Sequence, residues 1–228
     1  MIKRLIKKTG KTINKILKVF GFQIVRDGKP HLRGNRKACI ENLSMMANIL
    51  DSHNCVWWIS HGTLLGGVRE GDFISHDTDL DMSLMFSEDF KPAYSVILKN
   101  FDLIKVWGCT ENSLELTFMR NGIKIDLFFV YEDRGRFRHS AFAGFTQWEY
   151  DRYDYFFSPV EPVEFRFLGA NLKAPKDAER YLNDFYGENW RIPLKQWKYY
   201  LDPPNVRFSG LRYCRPKSEA NFLSWIGE

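Results

Sequence analysis

Residues 62–82 read GTLLGGVREGDFISHDTDLDM. This stretch opens on a small-residue turn, and the apolar residues that follow are typical of the first turn of a helix. Its second half places Asp77, Asp79 and Asp81 at every second position. Because residues two apart in a strand point to the same face, the three carboxylates are expected to converge. Three converging like charges need a cation, so the pattern predicts a divalent-metal site that handles phosphate.

A predicted β-hairpin carries a further carboxylate. Residues 114–120 and 123–130 read as two strands, and Asn121 and Gly122 between them favour a tight type I′ turn. Asp126 lies in the second strand, which is otherwise largely apolar. A carboxylate in such a strand is costly unless it is paired or binds a metal ion.

The preferred metal-binding triad combines the two segments. Asp79, Asp81 and Asp126 would supply the carboxylate oxygens that Mg²⁺ or Mn²⁺ prefers, and we expect the same three residues to be catalytic. Asp77 is then expected at the rim of the pocket, beside His76, where both would contact the substrate. The sequence assigns no role to the neighbouring His61.

The glycine-rich turn is expected to bind phosphate. Phosphoryl transfer needs metal ions, amide donors for the remaining negative charge and in-line placement of a nucleophile. Gly62 and Thr63, at the predicted start of a helix, would offer backbone amides and a hydroxyl. Arg69 would hold a phosphate oxygen through its guanidinium group. Each residue alone is weak support, but together, in this order, they are specific.

The composition is that of a globular protein, with 44% hydrophobic and 27% charged residues among 228. The four cysteines lack any C-x-x-C spacing, which favours free thiols over a zinc site or a disulfide framework. No apolar run approaches the roughly 20 residues that span a bilayer. The N-terminus also lacks the uninterrupted apolar segment of a signal peptide. These features predict a cytoplasmic protein.

The net charge of +5 is concentrated in one short segment. Residues 1–20 hold seven basic side chains and no acidic one, so the remainder of the chain carries about −2. This remainder is therefore not expected to bind nucleic acid. The apolar residues of the segment follow helical spacing, which predicts a basic amphipathic helix. Two interpretations stay open: a helix docked on the anionic inner face of a membrane, or an ordinary surface helix.

The motifs together resemble the LicD/fukutin-type phosphotransferases. The hallmark of that family reads approximately G-T-L-L-G-x-x-R, followed by G-x-F-I-x-x-D-x-D-h-D-h with h apolar, and residues 62–82 match it. Residues 124–128 are similar to the second acidic strand of the family. Residues 175–187 resemble its closing segment. The resemblance covers roughly residues 35–200.

The resemblance implies a fold and an activity. The fold would be α+β, with a nucleotidyltransferase-like small mixed β-sheet flanked by helices, over residues 31–228 and preceded by the basic segment 1–30. The activity would be metal-dependent transfer of phosphocholine, ribitol phosphate or glycerol phosphate from a CDP-linked donor. The acceptor would be a hydroxyl of a cell-surface glycan or its lipid-linked precursor. Asp79 and Asp81 would then be metal ligands, and Asp126 a ligand or the general base.

Two other functions remain open at this stage. A glycosyltransferase could use the D-x-D pair to hold a metal–nucleotide-sugar, although such folds usually place D-x-D after a longer nucleotide-binding sheet. The chain before Asp77 is instead mostly helical in pattern. A membrane-docked binding module without turnover is the second alternative, and the presence of all three ligand candidates argues against it.

Overall fold

The computed structural model describes residues 31–144, 146, 148–194 and 196–227. The predicted basic helix within residues 1–20, and the whole segment 1–30, lie outside this range. Within these residues, a short 3₁₀ turn precedes five helices: α1 (Arg36–Ser52), α2 (His61–Glu70), α3 (Phe90–Ile97), α4 (Ala178–Tyr186) and α5 (Arg215–Ile226).

The described residues also form ten strands, of which seven follow one another between α3 and α4. The first five are β1 (Trp57–Ile59), β2 (Asp79–Met85), β3 (Asp102–Trp107), β4 (Glu115–Arg120) and β5 (Ile123–Asp133). The other five are β6 (Arg136–Gly144), β7 (Glu149–Phe157), β8 (Pro162–Phe167), β9 (Ala170–Pro175) and β10 (Val206–Cys214).

The centre of the fold is a mixed sheet in the order β1-β2-β5-β4-β3. Strands β2 and β5 are parallel, and the other neighbours in this sheet are antiparallel. The far end of β5 continues into the antiparallel strands β6, β7 and β10, whereas β8 and β9 form a separate hairpin. The expected α+β class, with a mixed sheet flanked by helices, is confirmed.

The β4–β5 hairpin confirms the predicted type I′ turn. Asn121 and Gly122 both have a positive φ, of 54° and 76°. A type I′ turn requires a positive φ at both central positions, and these two residue types adopt it most readily.

Side chains alternate strictly along the parallel pair of strands. Leu80, Ile125 and Leu127 are fully buried on one face and belong to the hydrophobic core. Phe129 continues that face and contacts Phe90 of α3, with ring centroids 4.9 Å apart. The opposite face of the same strands therefore carries the polar residues.

The expectation that three aspartates share one strand is wrong for Asp77. Strand β2 begins at Asp79, and Asp77 lies in the preceding loop. The Asp77 carboxylate accepts a hydrogen bond from the Thr78 amide, and the Leu32 amide donates to the Asp77 carbonyl. The Asp77 amide donates to the Ile74 carbonyl, so a local turn and the segment before α1 hold the backbone of Asp77 instead of the sheet.

All four cysteines are free thiols. Among the described residues, no helix is both long enough and apolar enough to cross a bilayer.

Candidate active site

The register of β2 and β5 brings the predicted carboxylates together. Asp81 is paired with Asp126 across the two strands, and Asp79 is paired with Lys124. These side chains share the polar face of the sheet because they occupy alternate positions of parallel neighbours. Together with Asp77 they line one end of a cavity of about 440 Å³.

The start of helix α2 approaches this carboxylate cluster closely. The Gly62 amide donates a hydrogen bond of 2.9 Å to Asp81 Oδ2. A Cβ atom at Gly62 would lie 2.5 Å from Asp77 Oδ2 and 3.1 Å from Asp81 Oδ2. Only glycine therefore fits here without moving the carboxylates. The positive end of the helix dipole also faces the negative charge of Asp81.

Burial and mutual repulsion raise the pKa of the clustered carboxyl groups. Burial, followed by the nearby Asp79 carboxylate, raises the pKa of Asp77 to about 7 and that of Asp126 to about 6. Burial and the charges of Asp77 and Asp79 raise the pKa of Asp81 well above its usual range, despite the hydrogen bond from Gly62. Keeping all these groups ionised near neutral pH requires positive charge at this end of the cavity.

The donor set suits a hard divalent cation. Within the described part of the chain, Asp126 Oδ1 is buried and has no hydrogen-bond partner. Carboxylate oxygens are the ligands that Mg²⁺ and Mn²⁺ prefer. In their present orientations, no three His, Cys, Asp or Glu side chains of the described residues converge closely enough to hold a metal ion. Metal binding would therefore require Asp79, Asp81 and Asp126 to rotate towards a shared ion.

Thr63 does not line the cavity. It is fully buried in α2, and its hydroxyl accepts a 2.8 Å hydrogen bond from the Asp81 amide. With the Gly62 amide bonded to the Asp81 side chain, this turn fixes the start of β2. Gly62 lines the cavity, and phosphate binding by Gly62 and Thr63 stays a prediction.

Arg69 and His76 lie in the walls of a second cavity of about 200 Å³. This side cavity shares Gly62 and Asp77 with the main one. Arg69 donates to the Trp190 carbonyl at 3.4 Å and pairs with the Glu70 carboxylate at 2.7 Å. Arg69 and His76 thus line the side cavity, whereas Asp79, Asp81 and Asp126 line the main one.

Polar residues on three strands of the central sheet also line the main cavity and were not assigned to the site from sequence. They lie on the polar face of β3, β4 and β5: Lys105, Glu115, Thr117 and Lys124. Burial and the charge of Asp126 raise the pKa of Glu115 well above its usual range. Burial and the charge of Lys124 lower the pKa of Lys105. Lys124 could have been found from sequence, since it lies two residues before Asp126 and so shares its face.

The LicD/FKTN/FKRP nucleotidyltransferase domain matches residues 54–177, which is more than half of the chain and includes every carboxylate of the cluster. The chain belongs to this family. The predicted resemblance is therefore confirmed, and with it the nucleotidyltransferase-type fold.

Several proteins are similar to this member of the LicD family. Ribitol-5-phosphate transferase FKTN of Mus musculus is 30% identical over 179 residues, which cover 77% of this chain and 38% of the mouse protein. The Homo sapiens protein of the same name is 28% identical over 179 residues, with the same coverage. The chain thus spans about two fifths of the length of these relatives. A lincosamide adenylyltransferase, LnuA, aligns with a TM-score of 0.41 at 10% identity over 61% of this chain and 82% of its own.

Proposed function

We propose that the protein is a metal-dependent phosphotransferase that moves a phospho-alcohol from a CDP-linked donor to a hydroxyl group of a glycan. Membership of the LicD family supports the reaction class. The relatives named as ribitol-5-phosphate transferases support an alcohol phosphate as the transferred group.

One observation carries the proposal. Asp79, Asp81 and Asp126 project from two adjacent parallel strands into one cavity, and Asp126 Oδ1 has no partner among the described residues. Buried carboxylates packed this closely destabilise one another, so a cluster of them suits cation binding better than structural support.

We assign Mg²⁺ or Mn²⁺ to Asp79, Asp81 and Asp126. Such an ion, when bound, neutralises the negative charge of phosphate oxygens during transfer. Lys105 and Lys124 line the same cavity and would supply further positive charge to a diphosphate. Asp77, with Arg69 and His76 in the side cavity, would contact the outer parts of the substrates.

The reaction is a displacement at phosphorus. The oxygen of the acceptor hydroxyl forms a bond to the β-phosphorus of the CDP-linked donor. The bond from that phosphorus to the bridging oxygen breaks, and CMP leaves with the electron pair. The hydroxyl proton passes to a carboxylate of the cluster, for which Asp126 is our candidate, and the product is a phosphodiester.

The test is metal-dependent release of CMP. Purified protein is incubated with Mg²⁺ and CDP-ribitol, CDP-glycerol or CDP-choline in turn, with a glycan acceptor present. We expect CMP release with at least one donor and a phosphorus-containing product. A product with a glycosidic bond and no phosphorus would instead support a D-x-D glycosyltransferase. Binding of every donor without turnover would support a module that lacks activity.

A further inference from the structure

Two buried histidines line the main cavity. His61 is the first residue of α2, and His139 lies in the middle of β6. Their exposed fractions are 7% and 1%, and their ring centroids are 4.7 Å apart. Both residues belong to the cavity wall.

These imidazole rings lack the partners that buried polar groups normally have. Among the described residues, neither ring nitrogen of His61 has a hydrogen-bond partner, and neither does Nε2 of His139. Nδ1 of His139 lies 3.5 Å from the carbonyl of Ser140, which is at the limit of a hydrogen bond. Buried polar atoms without a partner are rare and costly, so three at one cavity wall call for a ligand.

The surroundings of the pair keep both rings neutral. Aromatic side chains enclose them: Phe128 and Phe185 contact His61, and Tyr155 stacks on His139 with centroids 4.9 Å apart. Burial lowers the pKa of His61 far below its usual range and that of His139 to about 4. Each neutral imidazole presents one N–H donor and one lone-pair acceptor.

The backbone of His61 is also held in an unfavourable conformation. Its φ is 41°, in the left-handed region that few residues other than glycine adopt. Such strain persists where the surrounding structure fixes it and is concentrated at functional sites. The amide of the next residue, Gly62, donates to the Asp81 carboxylate, so His61 directly precedes a residue that contacts the carboxylate cluster.

We propose that His61 and His139 form a subsite that binds hydroxyl groups of the substrate, either on the transferred alcohol or on the acceptor sugar. A hydroxyl both donates and accepts a hydrogen bond, which matches a neutral imidazole at each ring. A quaternary ammonium group offers neither, although the aromatic wall alone would suit one. The subsite therefore favours a polyhydroxylated group over phosphocholine. This inference rests on the proposed function.

The subsite is tested by binding and by imidazole signals. Calorimetry compares CDP-ribitol with CDP, both with Mg²⁺, in wild-type protein and in His139→Phe, which keeps a ring but removes the nitrogens. We expect the variant to bind CDP-ribitol about tenfold more weakly, a loss of about 1.4 kcal/mol, and CDP equally well. Its melting temperature should hold or rise, because an unsatisfied polar group has been removed. A purely structural role would instead lower the melting temperature.

A matched control lies on the same strand. Phe137→Leu alters the packing of β6 away from the cavity and should leave CDP-ribitol binding unchanged. The nitrogen-15 signals of the imidazole rings provide a second measurement, which can be made on wild-type protein. We expect CDP-ribitol, and not CDP, to shift the signals of His61 and His139.

The source of the hydroxyl is decided by a second ligand series. In one outcome, CDP-ribitol shifts neither imidazole signal and binds equally well to wild-type protein and to His139→Phe. In that case free ribitol, galactose and N-acetylglucosamine are added at millimolar concentration to protein saturated with CDP. Shifts with a sugar alone assign the subsite to the acceptor. The inference is overturned if none of these compounds shifts the imidazole signals and if His139→Phe binds CDP-ribitol as well as the wild type does. Release of CMP under the same conditions would leave the proposed function intact. Wild-type protein that binds no CDP-alcohol contradicts the proposed function itself.

Discussion

The two faces of the β2–β5 strand pair are built from alternate residues of the same sequence, yet one face is apolar and the other carries carboxylates. On one face Leu80, Ile125 and Leu127 are fully buried in apolar contacts. On the other, Asp81 and Asp126 face a cavity, and burial raises the pKa of both. Burial of the apolar side chains lowers the free energy of the folded state, and burial of the carboxylates raises it. We infer from this contrast that the polar face is retained for the proposed chemistry.

Removing one carboxylate should have the largest effect on activity. Asp126→Asn keeps the size of the side chain and removes a metal-ligating charge. We expect CMP release to fall by at least about 10³-fold, or about 4 kcal/mol in the barrier. The melting temperature should hold or rise, because repulsion within the cluster decreases. Activity within tenfold of the wild type would place the chemistry elsewhere.

Its neighbour on the same strand should behave in the opposite way. Leu127→Ala removes a fully buried side chain from the apolar face. We expect the free energy of unfolding to fall by about 2–5 kcal/mol. Activity per folded molecule should be retained at a temperature below the new transition. Loss of activity as large as that of Asp126→Asn would show that the two faces are not independent.

Divalent metal should stabilise the polar face. An ion that binds only the folded state adds about 2.7 kcal/mol when its concentration is 100 times the dissociation constant. We expect Mg²⁺ or Mn²⁺ to raise the melting temperature, and a chelator to reverse the rise and to abolish CMP release. Leu127→Ala should show the same rise in melting temperature with metal, although its melting temperature without metal is lower. In Asp126→Asn the shift should be small or absent, and an equal shift there would contradict the assignment.

The contact between α2 and the carboxylates should give the smallest effect. In Gly62→Ala the added methyl group displaces the Asp77 and Asp81 carboxylates that lie within about 3 Å of it. We expect kcat/KM to fall about tenfold, or about 1.4 kcal/mol, with little change in stability. Gly34→Ala is the control, since a Cβ there has no atom within 4 Å. Equal activities of the two variants would remove any role for this close approach.

Local sequence signals were sufficient for much of the fold and of the site. The Asn121 and Gly122 turn, the alternation around Asp126 and the D-x-D spacing of the two aspartates of β2 are all short-range patterns, and the structure contains them as expected. The polar residues on neighbouring strands were missed because their meeting depends on register. Lys105 and Glu115 approach Asp126 only through the pairing of β3, β4 and β5.

The strands β6 and β7 could not be predicted for a different reason. Their polar residues are buried, so the alternation that marks a half-exposed strand is hidden. Asp154 accepts hydrogen bonds from Arg152 at 2.7 Å, from Arg138 at 3.3 Å and from Ser140 at 2.6 Å. Charged residues in a sequence suggest an exposed segment, whereas these side chains are buried and pair with one another. The position of His139 in the cavity wall follows from the same strand and was missed with it.

The most direct test of the central claim is to locate Mn²⁺ in a crystal of the wild-type protein by anomalous scattering. We predict a bound ion between β2 and β5, within ligand distance of the carboxylates of Asp79, Asp81 and Asp126. The same experiment on Asp126→Asn should show a weak peak or none. Mn²⁺ bound away from this face, or a peak of equal height in the variant, would contradict the assignment of the polar face as the metal site.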